Sequence, residues 1–530
     1  MQSTTSSLYL DWLLASLPLL AVLVLMLRFR WGGAQAGAIG WIVALLVAAL
    51  RFGAGWEVLA YAQIKGALLS LFVLYIIWAA LLLYRVTDEA GALSAIGAGL
   101  PRLTPDRGLQ ALLLGWVFGA FLQGVSGFGV PVAVVAPLLV GLGFPPLAAV
   151  VISSVGHTWA VTFGSLGSSF YALIAATGRG GEELAPWSAS MLGLACLSCG
   201  AGTLWAAGGR RALRAGLVPL LLIGSVMAGI QLLVVIHGLW SIGGMVAGLA
   251  GLAVGVGWAR LGRGSAGSAD QVCNPPTQPN PAQEGMPLGW ALFPYGLLVA
   301  IVLAAQLLPP VHDLLGQVAV RIQFPELTTA RGWVTPAGEG RTINVFGHAG
   351  ALLIYASLVT YGLFRRQGRY APGAVRRIAR AVVRRAARSS LGIAAMVGMA
   401  VTMEHAGMTH LLADGVARVA GPAFPLVAPF IGALGAFMTG SNTNSNVVFG
   451  GLQQQVAALV GVSPLIILAA QTAGGAVGSL FAPAKIIVGC STVGLGGEEG
   501  PVLRAAMRYG LAIVAGLALA TGAAAVICGR

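Results

Sequence analysis

The sequence predicts an all-α polytopic membrane protein of about 12 to 14 membrane segments, arranged as two inverted repeats with broken or re-entrant helices. Three observations carry this. Apolar runs of about 20 residues, long enough to cross a bilayer core, recur from end to end. Only 9% of the 530 residues are charged and 57% are hydrophobic, whereas a soluble surface needs roughly a quarter charged. Finally, the chain repeats itself at a fixed offset.

In chain order, residues 1–260 read as an N-terminal membrane half. Leu13 to Leu27 leads into Arg28 and Arg30 and not into a small-residue cleavage site. This reads as a first transmembrane helix with its end held on the cytoplasmic side, not as a signal peptide. Residues 261–287, rich in Gly, Ser, Asn and Pro, read as a flexible linker. Residues 288–530 form the second membrane half. Pro309 to Gly347 is more polar and is expected to be an external loop or a partly re-entrant piece.

The net charge of +14 is almost all arginine, lysine occurring only at Lys65 and Lys485. The basic residues lie between apolar runs without interleaved aromatics, so nucleic acid is not the expected partner; the lipid bilayer is. Nine arginines and no acid fall between Arg365 and Arg388. This stretch is either a helix on anionic headgroups or a loop that fixes topology, and both place it in the cytoplasm. Five cysteines form neither a disulfide framework nor a metal-ligand spacing.

Sliding the chain by 316 residues pairs Asp88 with Glu404, Ala90-Gly91 with Ala406-Gly407, Arg102 with Arg418 and Gly119-Ala120-Phe121 with Gly435-Ala436-Phe437. With small slips, Pro146-Leu147 meets Pro464-Leu465, and Gly164-Ser165-Leu166 meets Gly478-Ser479-Leu480. The stretch before the first unit holds only Arg51 and Lys65, against nine arginines before the second. That asymmetry predicts opposite orientations.

Two stretches without Asp, Glu, Lys or Arg, Gly108–Gly178 and Val419–Ala484, mark where a site would sit. As one helix, Leu109–Phe144 would measure roughly 54 Å and must break. The expected breaks are Gln123 to Pro131 and Thr439 to Asn446. Non-helical backbone at membrane depth needs a protein-lined or watery cavity, and half-helix N-termini there attract anions. A small organic anion is therefore the expected partner. Its contacts are assigned to Gly124, Ser126, Gly127, Phe128 and Gly129, to Ser441, Asn442, Thr443, Asn444, Ser445 and Asn446, and to Lys485. Packing glycines and interhelical hydrogen bonds are the alternative for the breaks, and snorkelling for the lysine. Glu404 beside His405, the repeat partner Asp88, and His157 are candidates for proton handling; helix-end and core roles remain open for them. No nucleophile–base pair, paired catalytic carboxylates or phosphate loop points to an enzyme.

Thr104 to Leu147, with GAFLQGVSGFGVPVA, and Leu434 to Gly494, with TGSNTNSNVVFGGLQ and TAGGAVGSLFAP, resemble the L-lactate permease family, which includes glycolate permeases. The resemblance covers most of the chain. It implies a symporter of 2-hydroxymonocarboxylates in the bacterial inner membrane, without a cofactor and driven by H+, with Na+ as the alternative ion. A carboxylate-binding channel or sensor is the rival from another class. The resemblance extends to a wider ion-transporter superfamily in which dimers are common, so a homodimer is compatible with it. There, a Ser-Asn-Thr motif at a broken helix binds substrate and sodium, and Ser441-Asn442-Thr443 is similar to it. The chain departs from the family pattern at Gln123, Asn442 and Ser479, where the family has Glu, Asp and Lys, and at Glu404-His405, where it has an uncharged pair.

Overall fold

The computed structural model describes residues 5–29, 31–99, 104–127, 129–262, 286–495 and 498–528. Phe128, Arg102 and most of the expected linker lie outside them. Among the described residues, twelve helices are long and apolar enough to cross a membrane, or up to 13 if one bent pair counts as a span. Exposed Leu, Ile, Val and Trp side chains cover their outer faces, as expected of surfaces that meet lipid.

The first unit opens with α1 (Thr5–Leu27), α2 (Gly33–Leu50), α3 (Trp56–Glu89) and the short α4 (Ala92–Gly99). A helix hairpin follows. Its first arm joins α5 (Arg107–Gln110) to α6 (Gly119–Val125) through a π-helical stretch, Ala111–Phe118, and its second arm is α7 (Val130–Gly141). Then come α8 (Pro146–His157), two tight turns, α9 (Ser168–Thr177) and α10 (Gly181–Ala215). The helices α11 (Leu217–Ile236) and α12 (Gly243–Gly262) complete this half.

The second half begins with α13 (Leu288–Leu307) and α14 (Pro309–Gly316). Six two-residue strands follow, from β1 (Ala319–Val320) to β6 (Ile343–Asn344). They pair as one long interrupted hairpin, with Ala319 opposite Asn344, Gln323 opposite Glu339 and Leu327 opposite Thr335. The polar stretch read as a loop is therefore a β-ladder. It docks on the start of the first unit, where Ala330 N–H donates to Gly53 O at 2.8 Å and Arg331 meets Asp11 at 3.1 Å.

Next come α15 (Ala349–Arg366), α16 (Ala374–His405), α17 (Met408–Ala420), the hairpin α18 (Phe424–Thr439) and α19 (Asn442–Val460), α20 (Pro464–Gly478), α21 (Pro483–Thr492) and α22 (Glu499–Cys528). The Arg-rich segment is no loop: most of its arginines ride on the first turns of α16.

The offset of 316 carries the bounds of α2 onto those of α15, and α3 onto α16 within two residues. The α3–α16 pair is antiparallel along its length. Gln63 Nε2 donates to Thr402 Oγ1 at 3.0 Å, Trp78 Nε1 to Ser390 Oγ at 2.9 Å, and Arg377 Nε to Glu89 Oε1 at 2.7 Å. Corresponding helices thus point in opposite directions. Packing is exchanged between the units in the same sense: α2 lies on α16 and α15 on α3. The helices α18 and α20 meet through small residues. A Cβ on Gly474 would fall 2.0 Å from Pro429 O, and one on Gly478 2.3 Å from Ala433 O. Such close backbone approach replaces the hydrophobic effect as the packing force between helices in lipid.

Candidate anion-binding site

The first break falls where the glycines place it. The α6 helix ends at Val125, and Gly127 and Gly129 take φ of 61° and 81°, the left-handed region that glycine enters without strain. Its residues nevertheless serve packing. A Cβ on Gly124 would fall 2.6 Å from the Met245 backbone of α12, and Ser126 Oγ donates to Leu122 O at 2.7 Å. Gly127 lies against Ser165, whose Oγ is 1.8 Å from where a Cβ would stand. Among the described residues of this break, Gln123 alone lines the cavity described below; Gly124, Ser126, Gly127 and Gly129 do not.

The second break is tighter than expected. Gly440, at φ 71°, ends α18, and Ser441 caps α19 by accepting from Asn444 N–H at 3.4 Å. Asn442 to Asn446 are already helical, forming the first turn of α19. Asn442 Nδ2 donates to Thr162 Oγ1 at 3.1 Å and to Thr472 Oγ1 at 3.3 Å. Thr443 and Ser169 hydroxyls pair at 3.0 Å. Ser445 donates to Gly432 O at 2.7 Å, and Asn446 Nδ2 to Ser169 O and Thr472 Oγ1, both at 2.9 Å. Ser445 therefore ties α19 to α18, Asn446 ties α19 to α9 and α20, and neither lines the cavity.

A cavity of about 260 Å³ joins the two breaks. It is smaller than the roughly 300–1,000 Å³ that takes drug-sized ligands. Four helix N-termini open on it: Gly33 and Ala34 of α2, Ser168 and Ser169 of α9, Asn442 to Asn444 of α19, and Lys485 in the first turn of α21. Their unpaired N–H groups and partial positive charge favour an anion. Lys485 Nζ donates to Ser479 Oγ at 2.9 Å, and among the described residues no Asp or Glu lines the cavity. The side-chain amides of Gln123, Asn442 and Asn444 each carry a buried oxygen with no partner among the described residues. The site can thus take one negative charge and orient a neighbouring hydroxyl.

Residues of the α8–α9 break complete the site and were missed as contacts. Ser165 and Leu166 are the two non-glycine residues at positive φ, 48° and 56°, among those described. Each such residue costs about 1–3 kcal/mol and persists only where packing over-determines it. A signal was present, because the repeat alignment matched Gly164-Ser165-Leu166 to Gly478-Ser479-Leu480. Ser165 lines the cavity and Ser479 holds Lys485.

The four residues considered for proton handling stand outside this cavity. Glu404 lies 3.8 Å from Lys65 and lines a second cavity of about 560 Å³. His405 Nδ1 lies 3.0 Å from Val401 O. Asp88 pairs with Arg85 at 3.0 Å. Because α3 and α16 are antiparallel, the aligned Asp88 and Glu404 sit at opposite ends of the pair. His157 is fully buried, with Nδ1 at 2.7 Å from Ser153 O and Nε2 unpartnered among the described residues.

Twelve candidate spans among the described residues, with helix breaks meeting at a polar cavity, define a multi-pass membrane protein of the transporter class. The chain belongs to the L-lactate permease family, whose profile matches residues 11–528. Its relatives are permeases and not enzymes. It is 29% identical to the L-lactate permease of Bacillus subtilis, over 93% of each chain. Identity is 27% to the L-lactate permease of Escherichia coli K12, over 95% of this chain and 94% of the relative. It is also 27% to the glycolate permease of that strain, over 94% and 93%. Among solved structures, the chain is similar to the YdaH transporter of Alcanivorax borkumensis (TM-score 0.44, 15% identity, 85% of this chain and 84% of that one). A second is MtrF of Neisseria gonorrhoeae (TM-score 0.48, 15% identity, 93% and 95%).

Proposed function

We propose that this protein carries a small monocarboxylate (L-lactate, glycolate or a related 2-hydroxy acid) across the bacterial inner membrane by proton symport. One observation carries the reading: four helix N-termini and a lysine converge on a small cavity lined by no acid. The carboxylate contacts Lys485 and the N–H groups of α19. The hydroxyl meets the amides of Gln123 and Asn442. The cavity lies where the broken helices meet α2 and α16, through Gly33, Ala34 and Gly392. The oppositely directed units support an inverted-repeat mechanism, in which the broken elements move against α2, α3, α15 and α16 to alternate access. The arginines on α16 support an orientation with their end of the molecule in the cytoplasm and the β-ladder outside.

Proton handling by Asp88, Glu404, His405 or His157 would act at a distance from the substrate. A sodium-coupled reading is favoured by the unpartnered Asn442 and Asn444 oxygens beside the hydroxyls of Ser441 and Thr443, neutral ligands of the type a monovalent cation takes. Uptake of labelled L-lactate and glycolate by proteoliposomes under an imposed inward proton gradient separates the two. The proposal expects accumulation that a protonophore abolishes and that is indifferent to Na+. Accumulation that requires Na+ and ignores the protonophore would replace the ion, and no accumulation under either gradient would overturn the transport reading.

A further inference from the structure

The second cavity, about 560 Å³, opens at the β-ladder end of the molecule, between α3, α9, α16, α19 and the strand segment 339–344. Of its two acids, Glu339 accepts from Gln323 Nε2 at 2.6 Å and Glu404 faces Lys65 at 3.8 Å. Arg341 is different. Its guanidinium lies over the Phe72 ring, 4.7 Å from the centroid. Among the described residues it has no ion pair within 4.0 Å, and its Nε is buried without a partner. Tyr171 and Glu182 are its electrostatic neighbours, and a half-buried arginine with no hydrogen-bond acceptor among the described residues keeps a planar fork of donors that suits a carboxylate.

The two cavities share their walls. The α9 helix lines the inner one with Ser168 and Ser169 and the outer one with Ala172 to Thr177. The α19 helix lines the inner one with Asn442 to Asn444 and the outer one with Val447, Gly451 and Gln455. Between them stands the Ser169–Thr443 hydroxyl pair, at 3.0 Å. We infer that Arg341 forms a second anion site, a vestibule where a small carboxylate docks before it passes the Ser169–Thr443 pair to reach Lys485. The identity of that carboxylate rests on the transport reading above; the anion site itself does not.

The test uses Arg341→Gln, Arg341→Lys and Arg341→Cys in the full-length protein. For uptake from the β-ladder face, Arg341→Gln raises KM by about tenfold or more, with maximal rate within about twofold, as expected when a charge that guides association is lost. Arg341→Lys, which keeps the charge but loses the stacked planar fork, has a KM between those of wild type and Arg341→Gln. Labelling Arg341→Cys with a cationic methanethiosulfonate restores low-concentration uptake, and an anionic reagent does not. A wild-type KM in Arg341→Gln overturns the inference, as does a raised KM rescued by neither Lys nor the cationic adduct. Should the wild type carry no lactate, the transport reading falls by itself. The site would then stand or fall on whether lactate or acetate slows modification of Arg341 by phenylglyoxal in the wild-type protein, read by mass spectrometry.

Discussion

Replacing Gly127 with alanine tests how the first break is built. At φ 61° an alanine costs about 1–2 kcal/mol in backbone strain. Its Cβ would also stand 1.8 Å from Ser165 Oγ. The serine hydroxyl can swing aside only by giving up its 3.4 Å contact with Gln123 Nε2, and Ser165 Cβ would still be 3.1 Å away. Ser165 cannot retreat as backbone either, because it and Leu166 are both held in left-handed geometry. Overpacking of this kind costs about 1–3 kcal/mol, so the total is about 2–5 kcal/mol. Gly129 is the internal control. Its φ is 81°, but a Cβ there meets nothing within 4 Å, so Gly129→Ala should cost the backbone strain alone, about 1–2 kcal/mol. Thermal unfolding of purified protein in detergent should rank wild type above Gly129→Ala, and Gly129→Ala above Gly127→Ala. Adding Ser165→Gly to Gly127→Ala should recover part of the loss, a coupling that the double-mutant cycle isolates. Equal midpoints for the two alanine variants, or no recovery with Ser165→Gly, would refute the packing of the first hairpin against the α8–α9 break.

Two further outcomes follow from close contacts elsewhere. Gly475→Ala would put a Cβ 2.1 Å from Asn442 Oδ1; displacing that amide should raise the KM for lactate by about tenfold, the loss of roughly one hydrogen bond, while the fold survives in gel filtration. Asp11 bridges Arg51 of the α2 end at 2.5 Å and Arg331 of the β-ladder at 3.1 Å. Asp11→Asn should cost about 1 kcal/mol or less, yet speed proteolytic cleavage within 319–344 while leaving the KM for lactate near wild type.

Much of the architecture was legible because membranes impose few solutions. Two long stretches without charge had to be intramembrane, and Gly127, Gly129 and Gly440 were the places where a helix could stop. The repeat offset, read from Asp88 onward, extends in the structure to α2–α15 and α3–α16. Less legible was which face of each break meets the cavity. The first break turns Gly124, Ser126 and Gly127 into packing and leaves Gln123 to the site, a choice made by α12 and Ser165 from distant parts of the chain. Ser165, Ser168 and Ser169 enter because α9 meets α19, a tertiary fact with no local periodicity. The β-ladder escaped because each strand pairs only two residues and carries no alternating run. Asp88 and Glu404 aligned correctly, but inversion sends aligned residues to opposite ends.

Binding of L-lactate to purified wild type, Lys485→Met and Lys485→Arg, measured at equilibrium without any gradient, tests the anion site most directly. A hydrogen bond to a charged group contributes about 1.5–3 kcal/mol, so Lys485→Met should weaken binding by roughly 10- to 150-fold, with Lys485→Arg retaining more of the affinity. Wild-type affinity in Lys485→Met would contradict the site, because the cavity's single side-chain cation would then play no part in holding the carboxylate.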